Sequence, residues 1–259
     1  MVFDVALGRL GAVIEEGTGW PRPFCPHCLA GHLRFDEPVQ VEHGESKRAR
    51  QDDYWEPEWI RGVFTASGAC ENPECEQPAV ATGTYEVDYA KKRPHDEYTE
   101  SGPPYSAFYS VKQVYPPLVL MRLPETTPEP IQEGVERAAA VLFTDPGLAA
   151  TALRLVVEQF LTSEGIAATR PTGGFISADD RIKTWKKGAT GRDRVADLLL
   201  AVKWIGNAGT HSLSTLTVSE VLKGVEILDE AFHAQFIGPD IDARAKAVND
   251  ARGPVSPTT

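Results

Sequence analysis

Residues 201–211 read AVKWIGNAGTH, directly after the apolar run RVADLLL at 194–200. The run predicts a helix entering a core. Gly206, Asn207, Gly209 and His211 then arrive where a plain core helix would continue with Leu and Ala. Lys203, Asn207 and His211 recur every four residues, which aligns them along one helical edge. That edge borders the apolar face formed by Val195, Leu198, Val202 and Ile205. A cation, an amide and an imidazole so aligned suit metal-free RNA cleavage. His211 would be the general acid or base on a ribose hydroxyl, Lys203 would neutralise the phosphate, and Asn207 would orient either. A second reading is equally physical. Gly206 and Gly209 would let a neighbouring helix approach closely, while Asn207 and His211 satisfy backbone groups at the crossing or cap the helix end.

The surrounding chain from Ile131 onward has helical periodicity. Val135, Ala138, Ala139 and Leu142 keep helical spacing. Asp145 before Pro146 is an N-cap followed by proline in the first turn. The segment GLAATALRLVVEQFLTSEG predicts a central helix ending near Gly165, and SADDRIKTWKKG a short one. Asp193 can cap the helix that carries the opening motif. Thr217 and Glu220 form a capping-box pattern before Val218, Val221, Leu222, Val225, Leu228 and Phe232. Pro239 is expected just past that helix.

Upstream the pattern changes. Residues 1–116 are rich in Gly, Pro and aromatics, and ATGTYEVDYA and AFYSVKQVY alternate as half-buried strands do. Between the halves, YPPLVLMRLPETTPEPI contains Pro116, Pro117, Pro124, Pro128 and Pro130, a density that disfavours helix and central strand. The expected organisation is therefore α+β. It comprises a β-rich zinc ribbon at 1–116, a proline-rich linker at 117–130, a helical bundle at 131–238 and a flexible tail at 239–259.

The four cysteines form two close pairs, Cys25 with Cys28 in FCPHC and Cys70 with Cys75 in ACENPEC. Two such knuckles far apart in sequence are what a tetrahedral four-thiolate zinc site requires. Its four ligands would leave no open position, so the zinc is expected to be structural. Disulfides compete with this reading but are disfavoured in a cytoplasmic chain. His27, inside the first knuckle, reads as a surface residue.

Net charge is −11, with 11 basic against 19 acidic residues in the first 116. An acidic surface repels phosphate backbones at long range, so nucleic-acid contact would need a local basic patch. One candidate exists: Arg181, Lys183, Lys186, Lys187, Arg192 and Arg194, with Asp193 the one acid among them and Trp185 nearby. It reads either as an RNA- or phosphate-binding patch or as a solvated loop and helix end. No run approaches the length of a membrane span, and a cytoplasmic location is expected.

Together, the cysteine pairs, the YPP segment, ALRLVVEQFL and KWIGNAGTH resemble a bacterial family of unknown function. Its helical part looks like a relative of the HEPN superfamily (higher eukaryotes and prokaryotes nucleotide-binding). The family pattern places Leu-Arg-x3-Glu on one helix, matched by Arg154 and Glu158, and Arg-x2-Gly-Asn-x3-His on another. Gly206, Asn207 and His211 match the second motif, with Lys203 where the family has arginine. Lysine keeps the charge but loses the bidentate fork. The resemblance implies a HEPN-like bundle that serves as an interaction or regulatory module, as a homodimer or with a partner from a prokaryotic defence or nucleic-acid-processing system. The other function carried from the sequence is a metal-independent endoribonuclease using His211 and Lys203.

Overall fold

A computed structural model of the protein describes residues 4–90, 105–211 and 216–254, with the backbone alone described at 210 and 211. The chain combines an antiparallel sheet in its N-terminal part with helices in its C-terminal part. It divides into two compact units: Met1–Val119 with Ala139–Pro146 and Thr217–Leu222, and Leu120–Ala138 with Gly147–Leu216 and Lys223–Thr259.

The first unit is built on a meander of β4 (Arg61–Cys70), β5 (Pro78–Tyr89) and β6 (Tyr105–Tyr115). Strand β1 (Ile14–Glu15) pairs with the far edge of β6. The outer edge of β4 is shared by β2 (Leu33–Phe35) and β3 (Val39–Glu42), which follow one another along it. Alternation in the sequence sets the faces: in β4, Gly62, Phe64 and Ala66 are buried while Arg61, Val63 and Thr65 are exposed. The buried face carries an aromatic cluster in which Phe64 meets Tyr109 edge-on at 5.1 Å and Trp20 lies 5.6 Å from Phe64 and 6.0 Å from Phe35. Gln40 Nε2 on β3 donates to the Tyr109 hydroxyl on β6 at 2.6 Å, a bond across the meander that requires the sheet to curl. Curvature is also introduced at a β-bulge between Thr82 and Gly83, where a side chain would strike the backbone of β6 and the Phe64 ring at 2.9 Å. Helix α1 (Val5–Leu10) is capped by the Asp4 carboxylate, and α2 (Gly44–Ala49) precedes β4.

The second unit takes its elements from α3 (Glu129–Val141), α4 (Pro146–Ser163), α5 (Ala178–Lys187), α6 (Asp193–His211), α7 (Val218–Phe232) and α8 (Gly238–Ala251). Its core centres on Phe160 of α4, fully buried and packed against Trp185 of α5 at 5.4 Å and Phe232 of α7 at 5.6 Å. Local signals set the helix ends. Ser177 Oγ accepts from the Asp180 amide at the start of α5. Thr217 and Glu220 exchange both capping-box bonds before α7. After α4, Gly165 adopts φ +78° and the Ile166 amide returns to the Leu161 carbonyl.

Two segments differ from the sequence expectation. Helix α3 begins at Glu129, inside the stretch read as linker. Pro128 and Pro130 fall at its start, where the missing N–H groups have no helical partner to lose, and the Pro128 carbonyl accepts from Ile131. The segment read as a flexible tail forms α8 over 238–251, for the same reason: Pro239 occupies the first turn of a new helix. A π-helical turn at His233–Ile237 joins α7 to α8 and brings Phe236 to 6.1 Å from Phe160.

Candidate functional site

The first knuckle lies between β1 and β2, and the second joins the end of β4 to the start of β5. In the first, Leu29 N–H returns to the Cys25 carbonyl and Gly31 N–H donates to Cys28 Sγ at 3.3 Å. In the second, Cys75 N–H and Glu76 N–H return to the Asn72 carbonyl, and Asn72 N–H donates to Cys70 Sγ at 3.4 Å. Each knuckle then needs a left-handed residue directly after its second cysteine: Leu29 at φ 55° and Glu76 at φ 47°. The knuckles are drawn together by the pairing of β2 with β4, which sets Leu33 opposite Cys70, and by Glu71 N–H donating to the His32 carbonyl. Gly31 sits in the seam, where any side chain would lie 2.7 Å from Cys70 Sγ.

The result gathers all four sulfurs within 4.8 Å of one another. Cys25 and Cys75 are 3.8 Å apart, and Cys28 and Cys70 3.6 Å. A tetrahedral ion with sulfur at about 2.3 Å needs sulfurs separated by about 3.8 Å, so the donor set fits one metal ion. All four cysteines are free thiols. Burial and the reach of backbone amides set Cys28, Cys70 and Cys75 apart in acidity. The Gly31 and Ala30 amides draw Cys28 down to about 6. Burial pushes Cys70 up to about 12, against the Asn72 amide. The Gln77 amide pulls Cys75 down, yet burial and the neighbouring sulfurs outweigh it and the thiol ends raised. His27 Nδ1 lies 3.5 Å from Cys75 Sγ, a neighbour of the cluster rather than a fifth member.

In the helical unit, α4 and α6 approach closely at Gly206 and Gly209. A Cβ on Gly206 would lie 2.8 Å from the Ala150 carbonyl oxygen and closer still to Arg154 Cβ; one on Gly209 would strike the Gly147 backbone. Polar groups flank the crossing. Arg154 Nη1 donates to Asn207 Oδ1 at 2.9 Å while its Nε bonds Glu158 Oε1 at 3.2 Å. Lys203 does not share this network: it is buried, with Nζ 3.8 Å from Asp179 Oδ1 on α5 and 3.3 Å from the centre of the Trp204 ring. The backbone of His211 closes α6, and its side chain lies outside the described residues.

The basic stretch is largely occupied by its own neighbours. Lys183 pairs with Asp179 at 2.6 Å, Lys186 with Asp193 at 2.9 Å, and Arg194 with Glu230 at 2.7 Å. Arg192 lies over the Trp185 ring at 4.5 Å and bonds Glu164, which also accepts from Trp185 Nε1. Arg181 is 1% exposed. Lys187 is exposed, and among the described residues it forms no ion pair. Glu164 and Glu230 lie 28 and 36 residues from the arginines they pair with, beyond the reach of local pattern reading, whereas Asp179 and Lys183 form a local i,i+4 pair.

Residues 16–112, which include all four cysteines, match the family model described as Domain of unknown function (DUF8608). Residues 136–251, which include Arg154, Asn207 and His211, match Domain of unknown function (DUF4145). The curated proteins yield no match, and neither do the solved structures. No helix among the described residues is long and apolar enough to cross a membrane.

Proposed function

We propose that the chain is a zinc-stabilised, HEPN-like interaction module that assembles as a homodimer or with a protein partner, and that it does not cut RNA. The observation that carries this reading is the engagement of the polar edge. The Arg154 guanidinium spans Glu158 and Asn207, and Lys203 is buried against Asp179. A phosphate at either cation would therefore compete with a carboxylate already in place. Zinc, held by Cys25, Cys28, Cys70 and Cys75, is supported by an all-sulfur donor set at tetrahedral spacing. The setting in prokaryotic defence or nucleic-acid processing rests on the resemblance of the Gly-Asn-x3-His segment.

The test uses the metal-loaded protein. Elemental analysis is expected to find about one zinc per chain, and a folded, zinc-free protein would refute the metal reading. Structured and single-stranded RNAs, incubated without added divalent ions, are expected to remain intact. Cleavage that disappears in a folded His211→Ala variant would establish the endoribonuclease reading in its place.

A further inference from the structure

Arg181 is the anomaly of the helical unit. It lies on α5, is 1% exposed, and among the described residues forms no ion pair. Its Nη2 donates to two neutral oxygens, Thr162 Oγ1 at 2.7 Å and the Ile166 carbonyl at 2.8 Å. Its Nε is buried with no hydrogen-bond partner. Glu158 is the carboxylate whose charge reaches it, but Glu158 is already bonded by Arg154. Arginine does not escape burial by losing its proton, so a guanidinium held by neutral oxygens, with its nearby carboxylate already bonded by Arg154, is unfavourable here.

Beside it opens a cavity of about 400 Å³, walled on its apolar side by Pro128, Pro130, Ile131, Leu155 and Ala168. Gln159 lines the same cavity, and its Oε1 is also buried without a partner. Turned over, that amide offers N–H donors instead. The cavity therefore combines one buried cation, one unpaired amide and a hydrocarbon wall.

We propose that this cavity binds a small amphiphilic monoanion: an aliphatic carboxylate whose charged end pairs with the Arg181 guanidinium and whose chain lies against Pro128, Pro130 and Leu155. A carboxylate fits better than a phosphate for two reasons. Glu158 at the rim repels a second negative charge, and the apolar wall solvates none of it. The volume lies in the range of small-molecule sites. The ligand supplies a directly paired counter-charge, which Glu158, bonded by Arg154, does not. This inference is independent of the metal and of any chemistry at the polar edge.

Calorimetric titration of the full-length protein with octanoate, octanol, octylamine and inorganic phosphate tests it. Octanoate is expected to bind saturably, about tenfold or more tighter than octanol, with octylamine and phosphate silent. Arg181→Met is expected to erase the advantage of octanoate over octanol. Should that variant fail to fold, Leu155→Trp serves instead: this side chain is 44% exposed, so the larger ring can fill the cavity mouth without touching Arg181, and octanoate binding is expected to be lost with the helical circular dichroism unchanged. Equal binding of octanoate and octanol, no octanoate binding at millimolar concentration, phosphate binding in its place, or wild-type octanoate affinity in Leu155→Trp would each overturn the proposal.

Discussion

Leu29 and Glu76 hold the left-handed positions that close the two knuckles, at φ 55° and 47°. An L side chain there carries a cost of about 1–2 kcal/mol that glycine avoids, partly offset by glycine's greater freedom when unfolded. Leu29→Gly and Glu76→Gly are each expected to raise the stability of the metal-loaded protein by about 0.5–1 kcal/mol in urea denaturation. A loss in both variants would mean that the side chains contribute packing that outweighs the strain. Asp229 on α7 offers a second residue-level test. Burial raises its carboxyl from 3.8 to about 6, with His233 opposing and Glu230 adding to the shift. The folded state thus holds the proton more tightly than the unfolded one, and stability falls as pH rises from 3.8 to about 6. Because the group is only half-buried, Asp229→Asn is expected to gain about 1 kcal/mol at neutral pH, not the full value of the shift. The gain should vanish below pH 3.8, as followed by unfolding across a pH series.

At the level of elements, the crossing of α4 and α6 explains why a helix tolerates two glycines near its end. Each lowers helix propensity by about 1 kcal/mol relative to alanine. Contact between backbones compensates, since the Ala150 carbonyl would stand 2.8 Å from a Cβ at 206. Gly206→Ala is expected to destabilise the helical unit by about 2–3 kcal/mol in thermal unfolding, despite the better propensity. A stabilised variant would show that the helices can part at little cost. The helix ends read from the sequence at Thr217 with Glu220 and at Gly165 were legible because these signals act within a few residues. Helix α8 and the start of α3 were not, because a proline signals both a helix stop and a first turn.

At the scale of the molecule, the sheet unit has its aromatic cluster around Phe64 and Tyr109 on one face and the four-sulfur cluster tying its loops together. A metal that joins two knuckles 41 residues apart closes a long loop of the unfolded chain. Chelation is therefore expected to lower the melting temperature of the sheet unit by about 10 °C or more, read from the near-ultraviolet dichroism of its aromatics, and zinc should restore it. Identical melting with and without chelator would remove the metal from the account of this fold.

The sequence by itself determined what depends on spacing and local chemistry. That includes the paired cysteines, the alternating strands, the helical periodicities and most of the caps. Their causes lie within a few residues of one another, so they are written along the chain. Tertiary structure alone decided which charges are occupied. Lys203 meets Asp179, Arg192 meets Glu164, and Arg181 is enclosed with no ion pair among the described residues, although Arg181 and Arg192 read as similar cations in sequence. Desolvation and pairing depend on which surfaces the folded elements bring together, and the six basic residues between 181 and 194 carry no local mark that separates the buried one from the rest.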